Sequence, residues 1–442
     1  MAHAIDTHGH AHGHHGPRVL PADLSAPPVV NLWRSRALIV AAVFAVLAAL
    51  VGLLGGPNGA AHIMRGYLLG YMICFAFCGG GLCMLMLQYV TGGKWGLLLR
   101  RPLEAMVGTV PYLMVATIPL LLFGKGLYLW ERFPTIASVH DALKNGLINE
   151  GQAHSLSWKH AMLNPWSVFV QMLVVYGFIF VWGSLLRRWS LQRDLDPNRG
   201  TMKSYDYWRI KTENLSGIGV LIYSIILTIV AIDFMMSLDI NWYSTMFGLT
   251  FLVGQGYVVL ALSVHTSIRL SKWEPFATIL RKTEQYDLGK FMLAFVMLNI
   301  YLTFGQFLII WSGNQAEEIP WYLNRIRGGW WVICSLDFIF HWVVPFMMLL
   351  SRRLKYSRSK MLALTTWMIF ARCFDMFWLI EPGFPDTARH FHISVGTFAY
   401  LTVPVAMIAL WMAYYLTQLK SRALVVVNDP HTVEILEPEH AH

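Results

Sequence analysis

This sequence has little charge. Only 13% of its 442 residues are Asp, Glu, Lys or Arg, against about a quarter in soluble domains, and 56% are hydrophobic, so a soluble globular fold is excluded. It has five cysteines and no CxxC pair, which argues against a disulfide framework and against an iron-sulfur ligand set; Cys74, Cys78, Cys83, Cys334 and Cys373 read as small apolar packing residues. It has no phosphate-binding loop, because Thr91-Gly-Gly-Lys-Trp-Gly96 lacks the Gly-Lys-Ser/Thr ending and the strand-helix setting. His62, His265, His390 and His392 lie toward span ends or in loops and form no pair at mid-depth, so no haem is expected. No cleavable leader is expected either, since the first residues are polar and rich in His and Pro.

What the chain does have is long apolar runs. Ten stretches reach the length of about 20 residues that crosses a ~30 Å hydrocarbon core: 37–54, 66–90, 105–127, 166–186, 217–236, 246–267, 291–311, 330–350, 361–380 and 393–416. The expected fold is an all-α integral membrane protein of ten transmembrane helices. Residues 1–34 form a His-rich, disordered tail, with six His before residue 16 in a composition that cannot bury a core and could hold metal ions only loosely. Residues 421–442 form a second tail. The net charge of +9 sits in short loops, which points to anionic lipid and not to nucleic acid. With the first residues inside, cytoplasmic segments hold 25 of the 34 Lys and Arg, so both termini are expected in the cytoplasm.

Several prolines, at 111, 119, 345 and 404, are expected to kink their spans, and Gly79-Gly80-Gly81 to break the second. The segment 128–165 is the one long outward loop, with Trp130, Phe133, Leu143, Leu147 and Trp158 among polar residues; it reads as a cap on the membrane surface or against a partner.

Ionisable residues inside an apolar run are costly and by default functional. The stretch from Asp233 to Gly248 turns one span into the next. Asp233 lies inside the pattern and is expected near the outer exit of a proton path that also takes in Asp239 at the turn, and Trp242 with Tyr243 stands where amphipathic rings settle at a bilayer surface. The densest polar cluster is in the eighth and ninth spans: Asp337 and His341 are one turn apart, as are Arg372 and Asp375. These four form a proton-relay segment or, on the other reading, a static ion pair that pins two helices. Asn299 and Gln306 offer a secondary polar path that Glu317 and Glu318 could end, although single amides more often join helices than bind ligands.

Several blocks resemble one family, the NrfD-like (polysulfide reductase anchor) membrane subunits, and within it the ActF-type subunits of alternative complex III. They are Thr91 to Gly96 with Arg100-Arg-Pro-Leu-Glu-Ala105, Leu163-Asn-Pro165, Met236-Ser-Leu-Asp239 with Trp242-Tyr-Ser-Thr245, Asp287-Leu-Gly-Lys290, and Gln306-Phe-Leu-Ile-Ile-Trp-Ser-Gly-Asn314 followed by Glu317-Glu-Ile-Pro-Trp-Tyr322. Phe340-His341 before Pro345-Phe346, and Arg372 with Phe377-Trp-Leu-Ile380, complete the series. The likeness covers about residues 35–420.

The resemblance implies two four-helix bundles, about 66–236 and 246–380, flanked by the first and tenth spans. It implies a non-redox-centre subunit of a respiratory quinol:cytochrome c oxidoreductase in a bacterial cytoplasmic membrane. The implied partners are a sister NrfD-like subunit, an iron-sulfur subunit, multihaem and monohaem c-type cytochromes, and a terminal oxidase. Haem c and iron-sulfur clusters would sit in those partners, with quinone or menaquinone associated and nothing bound covalently by this chain. Where the family commonly reads Ser-Leu-Glu-Pro-His-Trp, this chain reads Ser237-Leu-Asp-Ile-Asn-Trp242, without the Pro and His. His341, Arg372 and Asp375 carry over from the family, while Asp337 rests on its position alone. An ion-coupled secondary transporter and a purely structural anchor are the rival readings.

Overall fold

The structure, a computed structural model, describes residues 19–388, 390–391 and 393–436. The six histidines of the N-terminal segment and His392 lie outside the described residues. The protein is 81% helical, with no strand among the described residues. Nine of the described helices are long and apolar enough to cross a membrane, or ten spans if one bent pair counts as a single crossing. It is a multi-pass, all-α membrane protein.

We number the long helices α1 (Val29–Leu54), α2 (Gly59–Thr91), α3 (Lys94–Val107), α4 (Val110–Phe123), α5 (Pro165–Asp194), α6 (Met202–Phe234), α7 (Thr245–Leu270), α8 (Lys282–Gly313), α9 (Trp330–Leu350), α10 (Arg358–Ile380) and α11 (Ala399–Lys420). Most outrun their apolar stretches, because main-chain hydrogen bonding continues past the hydrocarbon into the polar layer while hydropathy marks only the hydrocarbon. So α1 begins at Val29, inside the tail expected to run to residue 34, and His62, expected in a loop, lies on α2.

The third span is not the single helix expected over 105–127. It is α3 and α4, bent by 43° at Gly108-Thr109, with Pro111 in the first turn of α4, where its missing amide has no partner to lose. Conversely, Gly79-Gly80-Gly81 does not break α2. Those glycines are the points of closest approach: Gly79 meets Tyr223 of α6, Gly80 meets Gln255 of α7, and Gly81 meets Met106 of α3. In lipid an all-round apolar helix can sit inside or at the perimeter, so packing and not hydropathy places the spans: α1 is the most apolar of them and the least buried. The most apolar stretches of α2 and α7 are 94% and 83% buried, against 11% for α1, so α2 and α7 form the centre.

Helices α3, α4 and α6 pack on α2, and α5 on α6; α8 and α10 pack on α7, and α9 on α8 and α10; α1 and α11 pair at the edge. The perimeter exposes Leu173, Leu221, Ile225, Tyr301 and Ile309, the side chains that face lipid.

The long loop folds into short helices, Leu129–Arg132, Ile136–Lys144 and Glu150–Lys159. It buries Trp130, Val139, Ala142 and Leu156 within the chain and ties onto the α6–α7 turn: Ser155 Oγ donates to Asn241 Oδ1 at 3.0 Å and Lys159 Nζ to the Ile240 carbonyl at 2.5 Å. The cap therefore rests on its own chain, with Trp158 left exposed. The C-terminal segment also folds back, with Leu424, Val425 and Val426 buried and the short helix Pro430–Leu436 against α3.

Candidate functional site

The site is built at an irregularity of α9. Residues Phe338–Val343 form a π-helical turn, with Pro345 just beyond it. Proline has no amide to give the carbonyl four residues earlier, which is that of His341. Two side chains supply what the helix cannot: Tyr257 of α7 donates its hydroxyl to the His341 carbonyl at 3.0 Å, and Trp367 Nε1 of α10 donates to the Phe340 carbonyl at 3.0 Å. Such turns in otherwise regular helices recur at functional sites. This one turns Asp337 and His341 inward, both buried.

Facing them, α10 brings Arg372 and Asp375, an ion pair three residues apart. Asp337, His341 and Asp375 each offer a ligand atom, and these atoms lie within 4.8 Å of one another. Tyr257 roofs the group, its ring stacked on the imidazole at 4.4 Å and 15°. Arg372 fits because Gly254 of α7 has no side chain; a methyl there would stand 2.5 to 2.8 Å from the guanidinium atoms. Neither ring nitrogen of His341 makes a well-formed hydrogen bond, and Asp337 Oδ1 has no partner. The four residues that the sequence singled out on two spans thus converge on one buried point. Sequence reading passed over Tyr257 and Gly254, which lie in an apolar run where nothing marks a tyrosine or glycine as more than packing.

The secondary residues divide. Asn299 Oδ1 accepts from Trp342 Nε1 at 2.8 Å, and the Trp342 ring lies 5.0 Å from that of His341, so Asn299 borders the cluster. Gln306 donates to Ser244 Oγ at 3.0 Å on the α6–α7 turn. Glu317 is exposed and Glu318 half-buried, both in the loop before the short helix Ile319–Ile326. Asp233 stands apart from the cluster at the end of α6, fully buried, and neither of its oxygens has a hydrogen-bond partner. Half-buried Asp239 accepts from the Asn241 amide at 3.3 Å.

Trp242 is not a bilayer-surface ring: it is 2% exposed and stacks on Trp321 at 4.4 Å, while Tyr243 remains exposed. Beneath that stack is Arg325, which composition counts only as a loop cation. It is buried, donates to the carbonyls of Trp321 and Leu379, and lies 3.7 Å over the Trp321 ring. Burial pushes its pKa down to about 9, partly offset by Asp239.

No protein-family model and no curated protein sequence matches this chain.

What the site can do follows from its own groups. Two carboxyl groups and one guanidinium share a buried space. One negative charge therefore lacks a counterpart unless a proton or a cation joins them. The imidazole and two carboxylates could hold a metal ion, but Arg372 already sets a positive charge against Asp375, which favours a proton. An aromatic-lined cavity of about 610 Å³ borders the cluster, with Asp337, Gln306, Trp321, Tyr322, Trp342 and Trp378 in its wall. Phe304, Phe338 and Ile339 in the same wall are exposed at the perimeter, so the cavity opens toward lipid.

Proposed function

We propose that this chain is the ActF-like, NrfD-family subunit of a respiratory quinol:cytochrome c oxidoreductase, in a bacterial cytoplasmic membrane with both termini in the cytoplasm. On this reading α2 to α6 and α7 to α10 are the two four-helix bundles, α3 and α4 together make one span, and α1 with α11 flanks them. The interior positions of α2 and α7 and the pairing of α1 with α11 support that division.

The observation that carries the functional reading is the buried group of Asp337, His341, Asp375 and Arg372. The proposed role is proton handling: Asp337, His341 and Asp375 exchange a proton over a short distance, and Arg372 fixes Asp375 and balances its charge. An imidazole beside two carboxyl groups supplies both proton donors and acceptors, so the exchange needs no further titratable side chain. The lipid-facing cavity would take a planar, lipid-soluble quinone, with the indoles of Trp321, Trp342 and Trp378 to cover its ring system and Asp337 and Gln306 to meet its oxygens. A quinol oxidised there would release two protons and two electrons: Asp337 would take the first proton, pass it to His341 or Asp375 and take the second, and the electrons would go to haem and iron-sulfur centres of partner subunits.

The test starts with gentle extraction from the native membrane, recording the visible spectrum and the subunit masses of what travels with the chain. Co-purified c-type haem and an iron-sulfur subunit are expected. A colourless single polypeptide, reproducible across mild detergents, overturns the respiratory reading and turns effort to substrate-uptake assays. Within the assembled complex, Asp375→Asn should slow proton uptake and turnover; unchanged values would leave the cluster a structural pin.

A further inference from the structure

Both ends of the described chain meet at one end of the helix bundle. Lys420 Nζ donates to Asn31 Oδ1 at 3.0 Å, and the Leu424 amide to the Leu24 carbonyl at 2.8 Å. From there the C-terminal segment crosses the start of α3 and inserts Asp429 between two arginines. Asp429 Oδ2 accepts from Arg100 Nη2 at 2.9 Å and from Arg193 Nη2 at 3.0 Å. Burial works against this carboxylate, but Arg100 and Arg193 together hold its pKa below the ordinary value.

The charges here do not balance. One carboxylate serves two guanidiniums, and the nearby acids have partners of their own: Glu104 with Arg101 and Arg422, Asp194 with Arg101, and Asp206 with Arg209. Arg100 is only 3% exposed, and its Nη1 has no partner. A buried guanidinium that is not fully paired is expensive.

Beside it lies a pocket of about 300 Å³ whose wall holds three arginines, Arg100, Arg193 and Arg209, against two carboxylates, Asp206 and Asp429, with Gly93 at its edge. Gly93, at φ +95°, also opens α3, whose first turn has no side-chain cap. An uncapped helix start offers free amides and the positive end of the helix dipole. The pocket thus joins a surplus of one positive charge, an arginine with one nitrogen unpartnered and an uncapped helix start, where the apolar run of α2 gives way to polar chain.

We propose that this pocket binds a phosphate group, carried either by an anionic phospholipid headgroup or by a soluble phosphate. Arg100 already gives Nε to Gln88 Oε1 at 3.2 Å and Nη2 to Asp429; phosphate suits the pocket better than a carboxylate, because its several oxygens can meet the remaining Arg100 Nη1, Arg193 and main-chain amides at once. Its level at the end of the apolar runs suits a headgroup. The site lies at the far end of the chain from the α6–α7 turn and uses none of the residues proposed to handle protons.

The experiment uses the full-length chain, purified in mild detergent and stripped of lipid. Phosphatidylglycerol is titrated and followed by native mass spectrometry, with phosphatidylcholine as control, and inorganic phosphate is titrated and followed by the melting temperature. One saturable phosphatidylglycerol adduct without a phosphate response identifies a lipid headgroup, and the reverse identifies a soluble anion. Arg100→Lys keeps a charge against Asp429 but loses the free Nη1, and should weaken binding roughly tenfold, the worth of one charge-assisted hydrogen bond. Arg209→Gln, exposed and not engaged with the C-terminal segment, should weaken it roughly threefold and remains informative if Arg100→Lys fails to fold. Asp429→Asn removes a competing negative charge and should tighten binding. No saturable response to either probe, or binding indifferent to both arginine changes, overturns the proposal.

Discussion

Tyr257 holds His341 twice: its ring lies on the imidazole at 4.4 Å, and its hydroxyl takes the His341 carbonyl that Pro345 leaves without an amide. A packing contact and a main-chain repair are thus made by one side chain. Loss of the hydroxyl alone therefore separates them. Tyr257→Phe keeps the stack and strands a buried carbonyl, at a cost of about 1–3 kcal/mol. Pro345→Ala restores an amide at the right position, so the same change in a Pro345→Ala background should cost measurably less. A double-mutant cycle of thermal melts reads the coupling; strictly additive effects would refute it.

The two acids of the cluster should respond unequally to neutralisation. Asp375→Asn leaves Arg372 buried without its partner, a loss of about 3–5 kcal/mol. Asp337→Asn leaves the Arg372–Asp375 pair in place and should destabilise far less. If the cluster handles protons, both variants slow proton uptake by assembled complex; if it only pins helices, turnover per assembled complex stays at the parent value in both.

Gly254 is set by Arg372. Gly254→Ala places a methyl against the guanidinium and should destabilise by about 1–3 kcal/mol, the usual cost of overpacking. Gly177, on α5 with nothing near its added carbon, provides the contrast. Gly177→Ala should leave stability unchanged or raise it by up to about 1 kcal/mol, from helix propensity alone. Melting temperatures of the two variants decide; equal effects would remove the packing argument.

Glu131, in the cap, shows the pH dependence. Burial raises its pKa to about 7, against help from the Gly124 main-chain amide and Lys125. The folded state then holds a proton that the unfolded chain has released, so stability falls as pH rises from about 4.5 to about 7 and is level above that. Glu131→Gln should flatten this part of the profile of melting temperature against pH. An unchanged slope would assign it to other groups.

The docked C-terminal segment should depend on charge. Because Arg100 and Arg193 hold Asp429 below its ordinary pKa, its contribution is present at neutral pH and lost as pH falls through that lowered value. Limited proteolysis near residue 430 should speed up on acidification and in Asp429→Asn. Equal cleavage rates in parent and variant at neutral pH would show that the segment is held by its apolar residues, Leu424 to Val426, alone.

The apolar runs by themselves determined the class of this protein. A run of about twenty side chains without charge has one stable environment, and only the helix satisfies its own main chain there. They also placed Asp337 with His341, and Arg372 with Asp375, on single helix faces, because a spacing of three or four residues is local geometry. Other features were beyond the sequence because they depend on what comes near. Gly79 to Gly81 carry the same residues as a helix break and become close contacts only once α3, α6 and α7 surround α2. Trp242 reads as a surface ring until Trp321 covers it. Tyr257 becomes the partner of His341 only where Pro345 has removed an amide on another helix. Asp429, which reads as part of a free tail, meets Arg100 and Arg193 more than two hundred residues away. Hydropathy and spacing are properties of the chain; convergence of charges in a buried interior is a property of the packed helices, and only their packing could decide it.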